Sequence, residues 1–352
     1  MIRRKKPFGL ESLEAREMFA GDIAAYVQNG NLYLTEAAGQ AGQANTAAIY
    51  ELANGQIRVE GRGDPGQASL INGAAHQDFT VPGSLYVNFG AGDDLLVIGA
   101  AGPGTTTPTF NDVHIDTAAP PPVFASLAAK TVQPTGPLNP PDNDDIIIWD
   151  VVTRGAMTIN TGDGDDWVYI SGAQLGDGVG NDDLSIYTGA GADTVELKND
   201  LAAFQGNIYI QTYASLAEQD NDVVWFEKAY SMKDIRVVTG GGADRLHMDN
   251  ATAFHDLLFA TGDGNDTVEL DDVTVVDQLM GDLGNGDDSL SLDRLYGNIF
   301  NFQGDAGVDR LTDTADIHVN SLTLGGWEYV NGRPLWLINS IRAPSSLTMK
   351  AV

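Results

Sequence analysis

Three features of the sequence predict an all-β fold, a parallel β-helix (solenoid) with about 22 residues per coil and an N-terminal β-hairpin cap. A ten-residue phrase recurs almost unchanged: residues 188–197 read TGAGADTVEL and residues 261–270 read TGDGNDTVEL. Taking the last Asp of each Gly/Asp cluster as an anchor gives Asp94, Asp145, Asp166, Asp193, Asp222, Asp244, Asp266, Asp288 and Asp309. From Asp145 onward the spacings are 21, 27, 29, 22, 22, 22 and 21, a period of stacked coils that tolerate insertions. An apolar alternation follows each anchor. Two residues on stand Leu96, Ile147, Val168, Val195, Val224, Leu246, Val268, Leu290 and Leu311. Four residues on stand Ile98, Trp149, Ile170, Leu197, Phe226, Met248, Leu270 and Leu292, and the pattern breaks only at Asp313. Period two kept in register through the coils means a strand with one inward face.

Taken in chain order, residues 1–20 begin with four basic residues, Arg3 to Lys6. Glu11, Glu14, Arg16 and Glu17 then interrupt the apolar stretch that an ordinary cleaved secretory signal needs. Residues 21–100 read as a β cap and a first coil. YVQNGNLYL and YELANGQIRVEG set Asn29-Gly30 and Asn54-Gly55 between apolar alternations, a hairpin signal. Residues 101–141 hold most of the prolines and read as an insertion or linker outside the core. Residues 142–325 are the solenoid repeats. A second strand precedes each loop, with Leu85/Val87, Met157/Ile159, Leu184/Ile186, Ile235/Val237, Leu257/Phe259 and Phe300/Phe302 inward, and VTVV at 273–276 leaves room for a third. A β-propeller is the weaker alternative, because its blades need a longer repeat. Residues 326–352 lack the repeat and read as the C-terminal cap that a last coil requires.

Composition narrows the chemistry. The 49 acidic residues against 19 basic ones leave a net charge of −30, and only 11 of the acids are Glu. Asp is the short carboxylate of turns and of compact oxygen cages for hard cations, so calcium or another cation is the expected cofactor and partner. Such a charge repels a phosphate backbone, which argues against nucleic acid. The absence of Cys excludes disulfides and thiolate sites. No apolar run is long enough for a membrane span.

The loop phrases resemble the nonapeptide repeat of RTX (hemolysin-type) calcium-binding proteins, Gly-Gly-x-Gly-x-Asp followed by an apolar alternation. The matching positions are Gly90, Gly92 and Asp94; Gly162, Gly164 and Asp166; Gly189, Gly191 and Asp193; Gly240, Gly242 and Asp244; Gly262, Gly264 and Asp266; Gly284, Gly286 and Asp288; and Gly307 with Asp309. The resemblance implies that these residues bind metal, each loop giving half a calcium cage from Gly carbonyls and the Asp carboxylate. Departures are visible. Thr usually replaces the family's first Gly (Thr161, Thr188, Thr239, Thr261), the coil is longer, and loops PPDNDD (140–145) and AEQDND (217–222) have lost their glycines. Near the amino terminus, Leu13, Glu14, Arg16, Met18 and Phe19 resemble the LEPR-xLL motif that opens many large bacterial surface and exported proteins, with Ala15 in place of its proline. That implies an address at the cell surface or outside the cell.

No metalloprotease, P-loop, nucleophile-elbow or dinucleotide signature is present. On one outward column, Glu196 two coils before His247 and Glu269 one coil after it, with Arg245 nearby, form the one acid–base set worth weighing, and their gathering in a groove would favour a carbohydrate-active β-helix enzyme (polysaccharide lyase or hydrolase). A second acid column, Asp150, Glu227, Asp249, Asp271 and Asp293, follows the anchors by five residues. The outward positions Ile146/Ile148, Trp167/Tyr169 and Val223/Trp225 are apolar, so this patch is either covered by the Pro-rich stretch or used for cell-surface glycans or other surface proteins. The expected function is that of an exported calcium-binding β-solenoid with a structural or adhesive role at the cell surface and no catalysis.

Overall fold

The computed structural model describes residues 21–40, 42–63, 68–81, 83–99, 105–118, 142–177, 182–203, 205–215, 218–315 and 317–334. Residues 1–20, expected to be a sorting segment, and residues 335–352 of the expected C-terminal cap lie outside them. Among the described residues every regular element is a strand. The architecture is a parallel β-helix in which each coil's strands pair with the same strands of the next.

One coil illustrates the rest. After Asp244 comes a post-loop strand, Arg245–Asp249, then a short middle strand, Thr252–Ala253, and a pre-loop strand, Leu257–Ala260. All three pair in parallel with the long strand Thr267–Asp282 of the following coil, residue 22 places on against residue. Because the register holds, the alternating apolar positions stack into columns: Val168, Val195, Val224, Leu246, Val268 and Leu290 are fully buried, as are Ile170, Leu197, Phe226 and Met248. Stacking at the strand spacing of ~4.8 Å turns a weak two-residue pattern into one continuous core.

The corner between post-loop and middle strands falls six residues after the anchor, at positive φ in each coil from Asp144 to Asp288. Asp150, Asn199, Asn250 and Asp272 take it with φ of 51 to 55°, and Gly172 at 68°. Asn, Asp and Gly reach this region at the least steric cost. Lys228 and Arg294 adopt it too, held by the coils on either side.

The cap forms as expected and does more than cover an end. Ile23–Gln28 and Asn31–Glu36 make one antiparallel hairpin, and Thr46–Leu52 and Ile57–Gly61 the other. Their inner strands pair in parallel with Leu85–Asn88 and Leu95–Ile98, so the cap is itself a partial coil.

Two expectations are corrected. Within the Pro-rich stretch, residues 105–118 are not an insertion: Thr109–Phe110 and Val113–Asp116 are the middle and pre-loop strands of the Asp94 coil, with Phe110, Val113 and Ile115 in the core. Residues 119–141 lie outside the described residues. The second correction concerns register. Asp144, not Asp145, is the buried anchor, 22 residues before Asp166. Ile146 and Ile148 are therefore fully buried, whereas Ile147 and Trp149 face outward and Trp149 is 41% exposed. Asp144 and Asp145 are adjacent, and only the structure shows which fills the slot. Asp150 consequently leaves the second acid column for the corner.

Candidate functional site

The anchors lie inside the fold. Asp94, Asp144, Asp166, Asp193, Asp222, Asp244, Asp266, Asp288 and Asp309 are 0–2% exposed, a column of nine carboxyls along one corner of the solenoid. Each is placed by the same local logic. The residue after it starts a strand, so its own N–H points along the axis toward the next coil, and its side chain turns inward beside the preceding one.

The column is a hydrogen-bond ladder. Asp94 N–H donates to Asp144 Oδ1 at 2.8 Å, Asp144 N–H to Asp166 Oδ1 at 2.8 Å, and Asp166 N–H to Asp193 Oδ1 at 2.9 Å. The rungs continue through Asp222, Asp244, Asp266 and Asp288 to Asp309. Both ends are capped by other residues. Asn45 N–H donates to Asp94 Oδ1 at 2.6 Å, and Asp309 N–H to Glu328 Oε2 at 2.8 Å. A carboxyl oxygen for each buried N–H satisfies a donor that a tight corner would leave stranded.

In seven of the nine carboxylates only one oxygen is used. The Oδ2 atoms of Asp94, Asp144, Asp166, Asp193, Asp266, Asp288 and Asp309 are buried without a hydrogen-bond partner. A Thr column runs alongside. Thr212 donates to Asp222 Oδ2, and Thr239 to Asp244 Oδ2 at 2.5 Å. Thr161 and Thr261 donate to carbonyls of the following coil, at 3.4 and 3.1 Å, and stand beside Asp166 and Asp266, partly offsetting the cost of burying those carboxyls. Burial consequently pushes the carboxyls upward: Asp94 and Asp222 to about 8, Asp144 and Asp193 to about 10, Asp166 and Asp288 to about 7, and Asp266 and Asp309 to about 6. Neighbouring carboxylates raise several of them further, Asp94 acting on Asp144 and Asp166 on Asp193.

Two more ladders escaped the sequence reading. One position before the anchors, Asp165 N–H donates to Asn143 Oδ1, Ala192 N–H to Asp165 Oδ1 and Val308 N–H to Asp287 Oδ1, running in the opposite sense to the first. Just before the pre-loop strands, Asp183, Asn207, Asp234 and Asp256 accept the N–H of the equivalent residue in the next coil. A polar residue immediately ahead of each apolar strand was the available signal.

The loop glycines serve close stacking. A Cβ on Gly264 would fall 1.5 Å from Gly242 O, and one on Gly286 1.6 Å from Gly264 O. Their amides bond the adjacent loop, Gly242 N–H to Asp263 O and Gly264 N–H to Asn285 O, both at 2.7 Å. The two loops without these glycines use side chains: Asp142 and Asp220 accept from Gly92 and Gly191. Hence the Gly carbonyls at these positions face the next coil's backbone, and the oxygens suited to a hard cation are the orphaned carboxylate Oδ2 atoms. Among the described residues no group of three or more His, Asp or Glu side chains converges as a metal cluster.

On the outer surface, His247 Nδ1 and Arg245 both reach Glu269 Oε2, at 2.9 and 2.8 Å. Glu196 lies two coils away, bonded to Lys198, with Trp225 between. Arg245 and His247 hold the Glu269 carboxyl below the ordinary range, which suits an ion-pair partner rather than a general acid. In the second acid column, Arg294 bridges Asp271 and Asp293.

Compared with known proteins, the chain matches no family model, no curated protein and no solved structure.

Proposed function

We propose that the protein is an exported, calcium-stabilised structural β-solenoid that presents its outer faces at the cell surface and performs no catalysis. One observation carries the reading: a column of buried carboxyls, seven with an oxygen that nothing in the protein satisfies. Ionised carboxylates at coil spacing repel by roughly 3 kcal/mol per neighbouring pair at an effective dielectric of about 20. A column built this way needs either protons or cations. At neutral pH a hard divalent cation supplies the charge and prefers oxygen ligands. Asp166, Asp193, Asp266 and Asp288 are the residues that would hold it, through Oδ2. The resemblance to RTX repeats and the LEPR-xLL-like segment support calcium and export respectively. Calorimetric titration of the chelated protein with Ca²⁺, and separately with Mg²⁺, tests the reading. Saturable uptake of Ca²⁺ is expected, and absence of any heat of binding up to millimolar concentration would remove calcium from the account.

A further inference from the structure

The outer face of the post-loop strands carries groups the carboxyl column does not use. Cross-coil register places Ile147, Tyr169, Glu196, Trp225, His247 and Glu269 in a single row. Trp149 and Trp167 stand beside Tyr169, with ring centroids 6.4 and 5.9 Å away. The Lys198 ammonium lies 6.0 Å from the Tyr169 ring and 5.3 Å from that of Trp225, which in turn packs on His247 at 4.2 Å. Tyr169, Trp167 and Trp225 are only half-buried, so their rings are open to a ligand, while the indole N–H of Trp225 is turned inward.

Charge selects the occupant. The chain carries −30, yet along this row the charges cancel in pairs, Lys198 with Glu196 and Arg245 with Glu269. A polyanion would be repelled by the molecule as a whole, and so would a second copy of the chain. An uncharged ligand meets no such barrier. The row extends over six coils, about 24 Å at the strand spacing, so the ligand is extended along the axis. Aromatic faces flanked by fixed donors and acceptors suit the alternating C–H faces and hydroxyls of pyranose rings.

We infer that this row is a binding site for a neutral polysaccharide, whose rings pack on Tyr169, Trp167 and Trp225. The Glu196–Lys198 and Arg245–Glu269 pairs bond its hydroxyls. The inference rests on the presentation of the outer faces at the cell surface proposed above and not on calcium.

Affinity electrophoresis of the full chain in gels containing laminarin, mannan or xyloglucan, with polygalacturonate as the charged comparison, tests it. Retardation by at least one neutral polymer is expected and none by polygalacturonate. Trp225→Ala and Trp167→Ala should each weaken binding at least tenfold. Tyr169→Ala is the third variant, and circular dichroism confirms the fold of each. Tyr209→Ala, on the pre-loop face, should bind as the wild type does. Lack of retardation by all three neutral polymers overturns the inference. So does preference for the polyanion, affinity within twofold of wild type in all three folded row variants, or concentration-dependent dimerisation that these variants abolish. Glycan binding that persists while chelator leaves stability unchanged would refute the calcium reading alone. Calcium-dependent stability without glycan binding would refute this one alone.

Discussion

Replacing Asp166 with Asn separates the two jobs of the column. Asp166 is 2% exposed, its Oδ1 accepts the Asp144 N–H at 2.8 Å, and its Oδ2 has no partner. An Asn keeps an oxygen for the rung and removes the charge. Burial lifts the Asp166 carboxyl to about 7. Against an unfolded value near 3.9, that is a deficit of about 4 kcal/mol once the group is ionised without a counter-ion. Three such groups would consume the roughly 5–15 kcal/mol stability of an ordinary domain. The buried amide must find acceptors, which offsets about 1–3 kcal/mol. In chelator at pH 8, Asp166→Asn should therefore be more stable than wild type by about 1–3 kcal/mol. In calcium the advantage should shrink or reverse, because a bound ion at tenfold its Kd stabilises the wild type by about 1.4 kcal/mol. Asp166→Ala, which also strands the Asp144 N–H, should lie about 1–3 kcal/mol below Asn in both conditions. Urea unfolding followed by far-ultraviolet circular dichroism reads all three. A difference between Asn and wild type that calcium does not alter would refute the role given to Oδ2. A destabilised Asn variant in chelator would refute the claim that the bare carboxylate is a burden.

Two further outcomes follow from the same geometry. Gly264→Ala combines a φ of +145° with a Cβ 1.5 Å from Gly242 O, so a loss of about 3–5 kcal/mol is expected. Gly55→Ala, also at positive φ but with nothing within 4 Å, should lose only about 1 kcal/mol; equal losses in the two would show that the loops do not stack so closely. For pH, the column's folded values are raised, so its contribution is complete below the unfolded value near 3.9 and is lost as pH rises through about 6 to 10. Melting temperature in chelator should thus fall from pH 5 to pH 9, and calcium should flatten the decline; a rise with pH would contradict the buried column.

Most inward positions were legible because two periods, of two and of about 22 residues, reinforce each other. Val168, Leu246 and Val268 needed no tertiary information to be placed. The Asp144–Asp145 doublet was ambiguous because a one-residue shift preserves alternation while exchanging faces. Proline density concealed Phe110, Val113 and Ile115, whose short strands are ordered only by the coils beside them. The carboxyl column was legible as a column but not as buried. Gly-Asp phrases read equally as turns or as outward cation cages, and nothing local reveals that Oδ1 will accept an amide from the coil before it.

The central claim is that cation binding and folding are one equilibrium along the carboxyl column. Thermal melting by circular dichroism at pH 7.5, in chelator and in millimolar calcium, tests it most directly. The account predicts a higher melting temperature and a stronger β signal in calcium, reversed by added chelator. Identical spectra and melting temperatures in the two conditions would contradict it, leaving the Gly-Asp loops as stacking and turn chemistry alone.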